Sequence, residues 1–184
     1  MLHKSLNPDT VLRVDETADP MHPTPHRHQQ HRIGSWALWI ATTLGTIHAG
    51  WSIYWAFGGE VLLESVGQWA VDAVQNNPQQ AFLVLLGVGL AKLLAAWIPL
   101  VGHYGVVPWR GLWRALSWVG GPLLFLYGGA NTVVGATVLL GMIDVDGTDQ
   151  PGLIGHTWLW SPLFGLWGLA LMLGLFYTRP DPAQ

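Results

Sequence analysis

The sequence predicts an all-α membrane protein, a bundle of four transmembrane helices. The chain has 184 residues, of which 51% are hydrophobic and only 10% are charged, whereas soluble domains carry about 25% charged residues. Residues 36–59, 115–143 and 156–178 have no formal charge, and Lys92 is the only charged residue within 81–102. Each stretch reaches the roughly 20 apolar residues that a helix needs to cross a bilayer. The predicted spans are about 36–58, 81–102, 115–143 and 157–177.

The two ends of the chain differ from the predicted membrane domain, residues 34–178. Residues 1–33 are polar and rich in proline and histidine, a composition typical of disordered segments. We predict a disordered cytoplasmic tail there and a short cytoplasmic tail at residues 179–184. The first tail contains the stretch HPTPHRHQQH, and histidine-rich tracts can capture metal ions. A flexible tract lacks the fixed geometry of a real site, so no metal site is predicted.

The loop charges predict the orientation of the chain in the membrane. Loops 60–80 and 144–155 contain no lysine or arginine, whereas the remaining segments outside the spans contain seven. Basic residues favour the cytoplasmic side, so both termini are expected in the cytoplasm. The seven basic residues are Lys4, Arg13, Arg27, Arg32, Arg110, Arg114 and Arg179.

The outer loop 60–80 has a pattern of its own. Apolar residues such as Val66, Ala70 and Val74 recur at helical spacing, while Asp72 and Gln75 take the opposite face. This pattern predicts a short amphipathic helix that lies in the membrane interface between the first two spans.

Lys92 is the residue that calls for an explanation. It falls next to the midpoint of the second span, near residue 91, and a charge at that depth costs a few kcal/mol. The lysine stem reaches roughly 6 Å, but the interface is about 15 Å away. The amine therefore needs partners inside the bundle.

Polar residues on two other spans lie at a similar depth. His48 is next to the midpoint of the first span, and Asn131 is close to that of the third. Each also lies near glycine or alanine, which mark the sides where membrane helices touch. We predict that His48, Lys92 and Asn131 converge, with Tyr127 close by, as a ligand-binding layer.

Three roles for this polar layer remain open. The trio can hold helices together, bind a small or lipid-borne anion, or perform acid–base catalysis. The spans contain no Asp or Glu, so the amine is either neutral and hydrogen-bonded or neutralised by a bound anion. No residue is assigned a catalytic role at this point.

No cofactor is expected. The chain lacks cysteine, which removes thiol redox chemistry and thiolate metal sites. The histidines in or near the spans, His48, His103 and His156, are predicted at different depths, which does not fit a bis-histidine haem site. Membrane lipids are the expected partners, and nucleic acid is not.

Two short motifs resemble a bacterial family of small four-helix membrane proteins classed only as a domain of unknown function. Tyr54, Trp55, Ala56, Gly58 and Gly59 match its Tyr-Trp-Ala-x-Gly-Gly run at the end of the first helix. The last helix of that family begins with Ser-Pro-Leu, here residues 161–163. The resemblance covers about residues 35–178 and implies a fold and a bacterial inner-membrane location, but no reaction.

These observations favour a non-catalytic role, in which the polar layer binds a ligand or partner and the protein acts as an accessory subunit or carrier. The alternative is a membrane-embedded enzyme that acts on a lipid or quinone-like substrate, with Lys92 and His48 as acid–base groups. A four-helix bundle is narrow, so assembly into a homo-oligomer or a larger membrane complex is one way to build a larger pocket.

Overall fold

The computed structural model describes residues 25–179, and the regular secondary structure of these residues is helical, with no strand. The predicted tail up to residue 24 lies outside the described residues. In chain order the helices are α1 (Pro25–Ala56), α2 (Gln68–Asn76), α3 (Pro78–His103), α4 (Arg110–Leu139), α5 (Gln150–Gly155) and α6 (Ser161–Tyr177). A 3₁₀ turn (Glu64–Val66) precedes α2, and a π-helical turn (His156–Trp160) joins α5 to α6.

Three of the described helices are long and apolar enough to cross a membrane. They are Pro78–His103, Arg110–Leu139 and the continuous helical stretch Gln150–Tyr177. Only 17% of the most apolar window of α3 and 11% of that of α4 are buried within the protein. Because so much apolar surface faces outward, lipid is the solvent that suits these helices. The fourth predicted span, within α1, is not among the three.

The helix bounds differ from the predicted spans at several ends. The first helix begins at Pro25, whereas the predicted span begins at residue 36 and the predicted tail runs to residue 33. The third predicted span extends to residue 143, but α4 ends at Leu139. Apolar composition marks the segment suited to lipid, whereas helical hydrogen bonds can continue into polar sequence or stop before the apolar run ends.

Helix α1 lies between α3 and α6, and α6 also packs against α4. A smaller contact between α3 and α4 completes the bundle. Small residues set these close approaches, as predicted from their positions. A side chain at Gly45 would collide with Ala96 of α3 and Trp167 of α6, which shows how tightly the three helices meet.

The predicted short helix between the first two long helices is present as α2. Ala70 is buried, Ala73 and Val74 are half-buried, and Asp72 and Gln75 are exposed. The start of α2 is attached to the loop between α4 and α5, because Asp149 in that loop accepts a hydrogen bond from the backbone N–H of Gln68 at 2.5 Å. Helix α2 thus covers one end of the bundle, above the cavity described next.

Candidate functional site

A cavity of about 520 Å³ lies beneath α2, between α1, α3 and the start of α6. Its volume is typical of small-molecule sites. We call it the Lys92 cavity. Most of its wall is apolar or aromatic, and its polar residues include His48, Ser52, Gln80, Lys92 and His156.

Three of these side chains form a hydrogen-bonded group, the amine cluster, made of His48, Ser52 and Lys92. The Nζ atom of Lys92 donates to Oγ of Ser52 at 2.9 Å and lies 3.2 Å from Nδ1 of His48. His48 is 5% exposed and Ser52 2% exposed, so α1 holds both partners in fixed positions. Lys92 is half-buried and reaches them from α3.

The sequence brings these side chains together through one helix turn and one glycine. His48 and Ser52 are four residues apart on α1 and therefore share a face. Gly89, one turn before Lys92, packs against Ile53 and the backbone of Ala49. A glycine at that contact lets α3 approach α1 closely enough for the amine to reach both acceptors.

Aromatic rings enclose the amine cluster on the side of α6. The His48 ring lies 4.0 Å from that of Phe164 and 5.6 Å from that of Trp160, measured between centroids. Lys92 Nζ lies over the Phe164 ring, 5.5 Å from its centroid, a distance that suits a cation–π contact. The rings give the amine an apolar surrounding on that side, where electrostatic interactions are stronger than in water.

The structure joins two of the four predicted site residues and separates the other two. His48 and Lys92 meet as predicted. Asn131 is exposed, and its side-chain amide donates to the carbonyl of Tyr127 in its own helix at 2.8 Å. Asn131 therefore does not belong to the amine cluster. The Tyr127 ring packs edge-to-face with the Phe164 ring, with 5.7 Å between their centroids. Tyr127 is thus separated from the amine cluster by the Phe164 ring.

Sequence reasoning missed Ser52, Phe164 and His156 as cavity residues. Ser52 carried a signal, because it lies one turn from His48 on the same face. Phe164 carried none, since a phenylalanine in an apolar span looks like any other packing residue. His156 was predicted at a different depth, but it lines the same cavity, and its Nε2 lies 3.1 Å from the carbonyl of Val66.

The charge balance shows what the amine cluster can do chemically. Helices α1, α3, α4 and α6 contain no Asp or Glu, so none of them supplies a counter-ion. When Lys92 donates to Nδ1, a neutral His48 carries its proton on Nε2. Within the described residues that Nε2 atom is buried and has no hydrogen-bond partner. The cluster thus places an amine, for which these helices supply no carboxylate partner, at the end of an apolar cavity.

Over residues 25–179 these features define a class: an all-helical fold with three helices suited to crossing a membrane and a polar cluster inside a cavity. Residues 45–171 match the family described as protein of unknown function, DUF3995. The match spans more than half of the chain and every residue of the amine cluster, so the chain belongs to the DUF3995 family, which confirms the expected resemblance to a domain of unknown function. No curated protein and no solved structure matches the chain.

Proposed function

We propose that this protein is a four-span protein of the bacterial plasma membrane that binds an amphiphilic anion in the Lys92 cavity. Binding involves no chemical conversion, and the protein serves as a carrier or accessory subunit. The observation that carries the proposal is the position of the Lys92 amine. It lies at the polar end of an apolar cavity, and its described hydrogen-bond partners, His48 and Ser52, are not acidic.

Contacts between residues 35 and 53 of α1 support its role as the fourth span. Ser35, in the first half of α1, bonds to His103 at the end of α3, with 3.0 Å between Oγ and Nε2. Near its end, Ile53 packs against Gly89 of α3. Helix α1 thus runs antiparallel to a helix that is itself long and apolar enough to cross a bilayer. Two antiparallel helices in lengthwise contact share the same membrane thickness.

The distribution of charge supports cytoplasmic termini. The loop that joins α3 to α4 is flanked by basic residues, with Arg110 and Arg114 in the first turns of α4. The segments that cover the Lys92 cavity carry acidic residues and no basic ones, namely Glu60, Glu64, Asp72, Asp144, Asp146 and Asp149. The positive-inside rule then directs the cavity towards the outer half of the membrane.

The wall of the cavity suits an apolar chain, and its end suits an anionic head. Val84, Leu85 and Val88 line one side from α3, and Trp55 and Trp160 line the other. A carboxylate or phosphate beside Lys92 would receive a charge-assisted hydrogen bond, which is about twice as strong as a neutral one. It would also neutralise an ammonium group for which the long helices supply no carboxylate.

Native mass spectrometry of the purified full-length protein tests this proposal. We expect the wild type to retain a molecule with an acidic group and an alkyl or similar apolar part. Lys92→Met should lose it, because methionine keeps the shape of the side chain and removes the charge. Leu90→Met is the matched control, since Leu90 is 49% exposed on the same helix and lies outside the cavity.

Two results would contradict the proposal. One is retention of the same molecule by wild type and Lys92→Met in equal amounts. The other is the absence of a bound acidic molecule from wild-type protein that has also been incubated with excess dodecanoate before the measurement.

A second candidate function is a membrane-embedded enzyme that acts on a lipid or quinone-like substrate. The observation in its favour is the direct contact between two titratable groups, Lys92 and His48, at the wall of a cavity. Such a pair can pass a proton to a bound carbonyl oxygen. Incubation of the protein with a bacterial lipid extract, followed by mass analysis of the lipids, separates the two functions. A product that depends on both residues supports the enzyme, and recovery of unchanged ligand supports binding.

A further inference from the structure

A second cavity lies at the opposite end of the bundle from α2 and is independent of the Lys92 cavity. It occupies about 400 Å³ between the end of α3, the start of α4 and the end of α6. We call it the arginine cavity, because Arg110 and Arg114 line it together with His103.

Backbone carbonyls hold both guanidinium groups in place. Arg110 donates from Nε to the carbonyl of Gly102 at 3.0 Å, and from Nη2 to that of His103 at 3.4 Å. Arg114 donates to the carbonyl of Leu175 and to Oγ1 of Thr178. A guanidinium has five N–H donors, so these contacts leave three on each arginine. Two fixed cations with spare donors suit an anion with several oxygen atoms.

Among the residues that the structure describes, the charges near this cavity have one sign. Residues 25–59 and 73–143 contain no Asp or Glu, and neither do residues 150–179. Arg179 adds a further positive charge at the end of α6, where it packs on Phe176 with 4.3 Å between the guanidinium carbon and the ring centroid. An anion that enters this end of the bundle meets no carboxylate from these segments.

An apolar groove continues from the arginine cavity along α3 and α4. This groove of about 290 Å³ shares Ile98, Pro99 and Trp113 with the arginine cavity. From there it runs towards the middle of the helices, past Leu94 and Ala95 on α3. A positive cavity that opens into an apolar groove has the shape of a lipid site, with one part for the headgroup and one for an acyl chain.

We propose that the arginine cavity and its groove bind an anionic glycerophospholipid, with the phosphate between Arg110 and Arg114 and one acyl chain between α3 and α4. Capping of helix ends by arginine explains the position of each guanidinium, but it does not require a cavity that joins the two or an apolar extension from it. The lipid accounts for both features.

Native mass spectrometry of full-length protein, with phospholipids added in neutral detergent, tests this proposal. We expect phosphatidylglycerol to be retained more strongly than phosphatidylcholine of the same chain length. Arg110→Gln should weaken retention of phosphatidylglycerol about tenfold, the value of one charge-assisted hydrogen bond. Arg179→Gln is the control, because Arg179 lies at the same end of the bundle and does not line the cavity.

A second variant separates the lipid from free phosphate. Ala95→Trp fills the groove and leaves the charges unchanged, so it should weaken lipid retention and leave any effect of inorganic phosphate on the melting temperature unaltered. The proposal is overturned if Arg110→Gln and Arg179→Gln retain the lipid equally. It is also overturned if the two lipids bind equally. A third contradicting result is displacement of the lipid from wild type and from Ala95→Trp by the same concentration of inorganic phosphate, because the acyl chain would then add nothing to binding. If Arg110→Gln fails to fold, Ala95→Trp and the comparison of the two lipids still decide the question.

Discussion

The Nζ atom of Lys92 lies 3.2 Å from Nδ1 of His48, across the contact between α3 and α1. Both side chains are basic, so at most one of them gains from being charged at this distance. The pair therefore gains no attraction between opposite charges across this helix contact. An anion placed beside Lys92 would be stabilised by the amine, and this is the reason for proposing a binding role for the cluster.

The first prediction concerns the stability of Lys92→Met. Because desolvation of a charge that lacks a counter-ion is costly, removal of the amine should leave the bundle folded in detergent. The ligand-free variant should be as stable as wild type or more stable by about 1 kcal/mol. Thermal unfolding followed by circular dichroism measures this. Loss of the folded state, with no loss of any bound molecule, would instead show that Lys92 holds the helices together.

The second prediction concerns the contact between α4 and α6. A side chain at Gly128 would overlap the backbone of Gly165 and the carbonyl of Ser161, whereas one at neighbouring Gly129 would meet no atom within 4 Å. Gly128→Ala should therefore lower the free energy of unfolding by about 1–3 kcal/mol.

Gly129→Ala serves as the matched control, with an expected change below about 1 kcal/mol. Unfolding in detergent by added sodium dodecyl sulfate compares the two variants. Equal effects of the two substitutions would contradict the observed face of α4.

The glycine spacing shows how far sequence can predict such contacts. Gly121, Gly128 and Gly135 recur every seven residues, and all three are buried against α6 and the turn before it. The same reasoning failed for Asn131. Three residues beyond Gly128, its position is rotated by about 60° from that of the glycine, and its amide finds an acceptor in its own helix. The rotation of α4 depends on packing, which the spacing of polar residues along the helix does not reveal.

The wall of the Lys92 cavity was harder to predict than its polar end. A lysine in an apolar span is conspicuous, and a histidine at the same depth is its natural partner. Phe164 and Trp160 belong to an apolar run in which no residue stands out. Their contact with His48 depends on the π-helical turn before α6, which changes the rotation of the following residues. The sequence contains no simple pattern for that turn.

The third prediction concerns the cover above the Lys92 cavity. Asp149 accepts hydrogen bonds from the backbone of Gln68 at 2.5 Å and of Gly152 at 3.3 Å, so it caps α2 and α5 together. Loss of a cap costs about 1 kcal/mol. Asp149→Ala should therefore speed amide hydrogen exchange in Gln68–Asn76 by about fivefold. Asp146→Ala removes the same charge from an exposed site in the same loop. Equal exchange in the two variants would show that Asp149 does not secure α2.

The fourth prediction concerns orientation in the membrane. The chain has no cysteine, so a single introduced cysteine gives an unambiguous labelling site. A membrane-impermeant maleimide should label Gln75→Cys in intact cells, because Gln75 is exposed on the outer side of the proposed topology. Val106→Cys, at a position that is 74% exposed in the loop between α3 and α4, should react only after permeabilisation. The opposite pattern would invert the assigned topology.

The most direct test of the account is a cycle that varies the charge of the ligand and the charge of residue 92. Binding of dodecanoate and of dodecanol to wild type and to Lys92→Met is measured by calorimetry in neutral detergent at pH 8. Partition of each ligand into micelles is common to both proteins and cancels. Wild type should prefer the carboxylate over the alcohol by at least about tenfold, and Lys92→Met should lose that preference. The same preference in both proteins would contradict an anion site at Lys92.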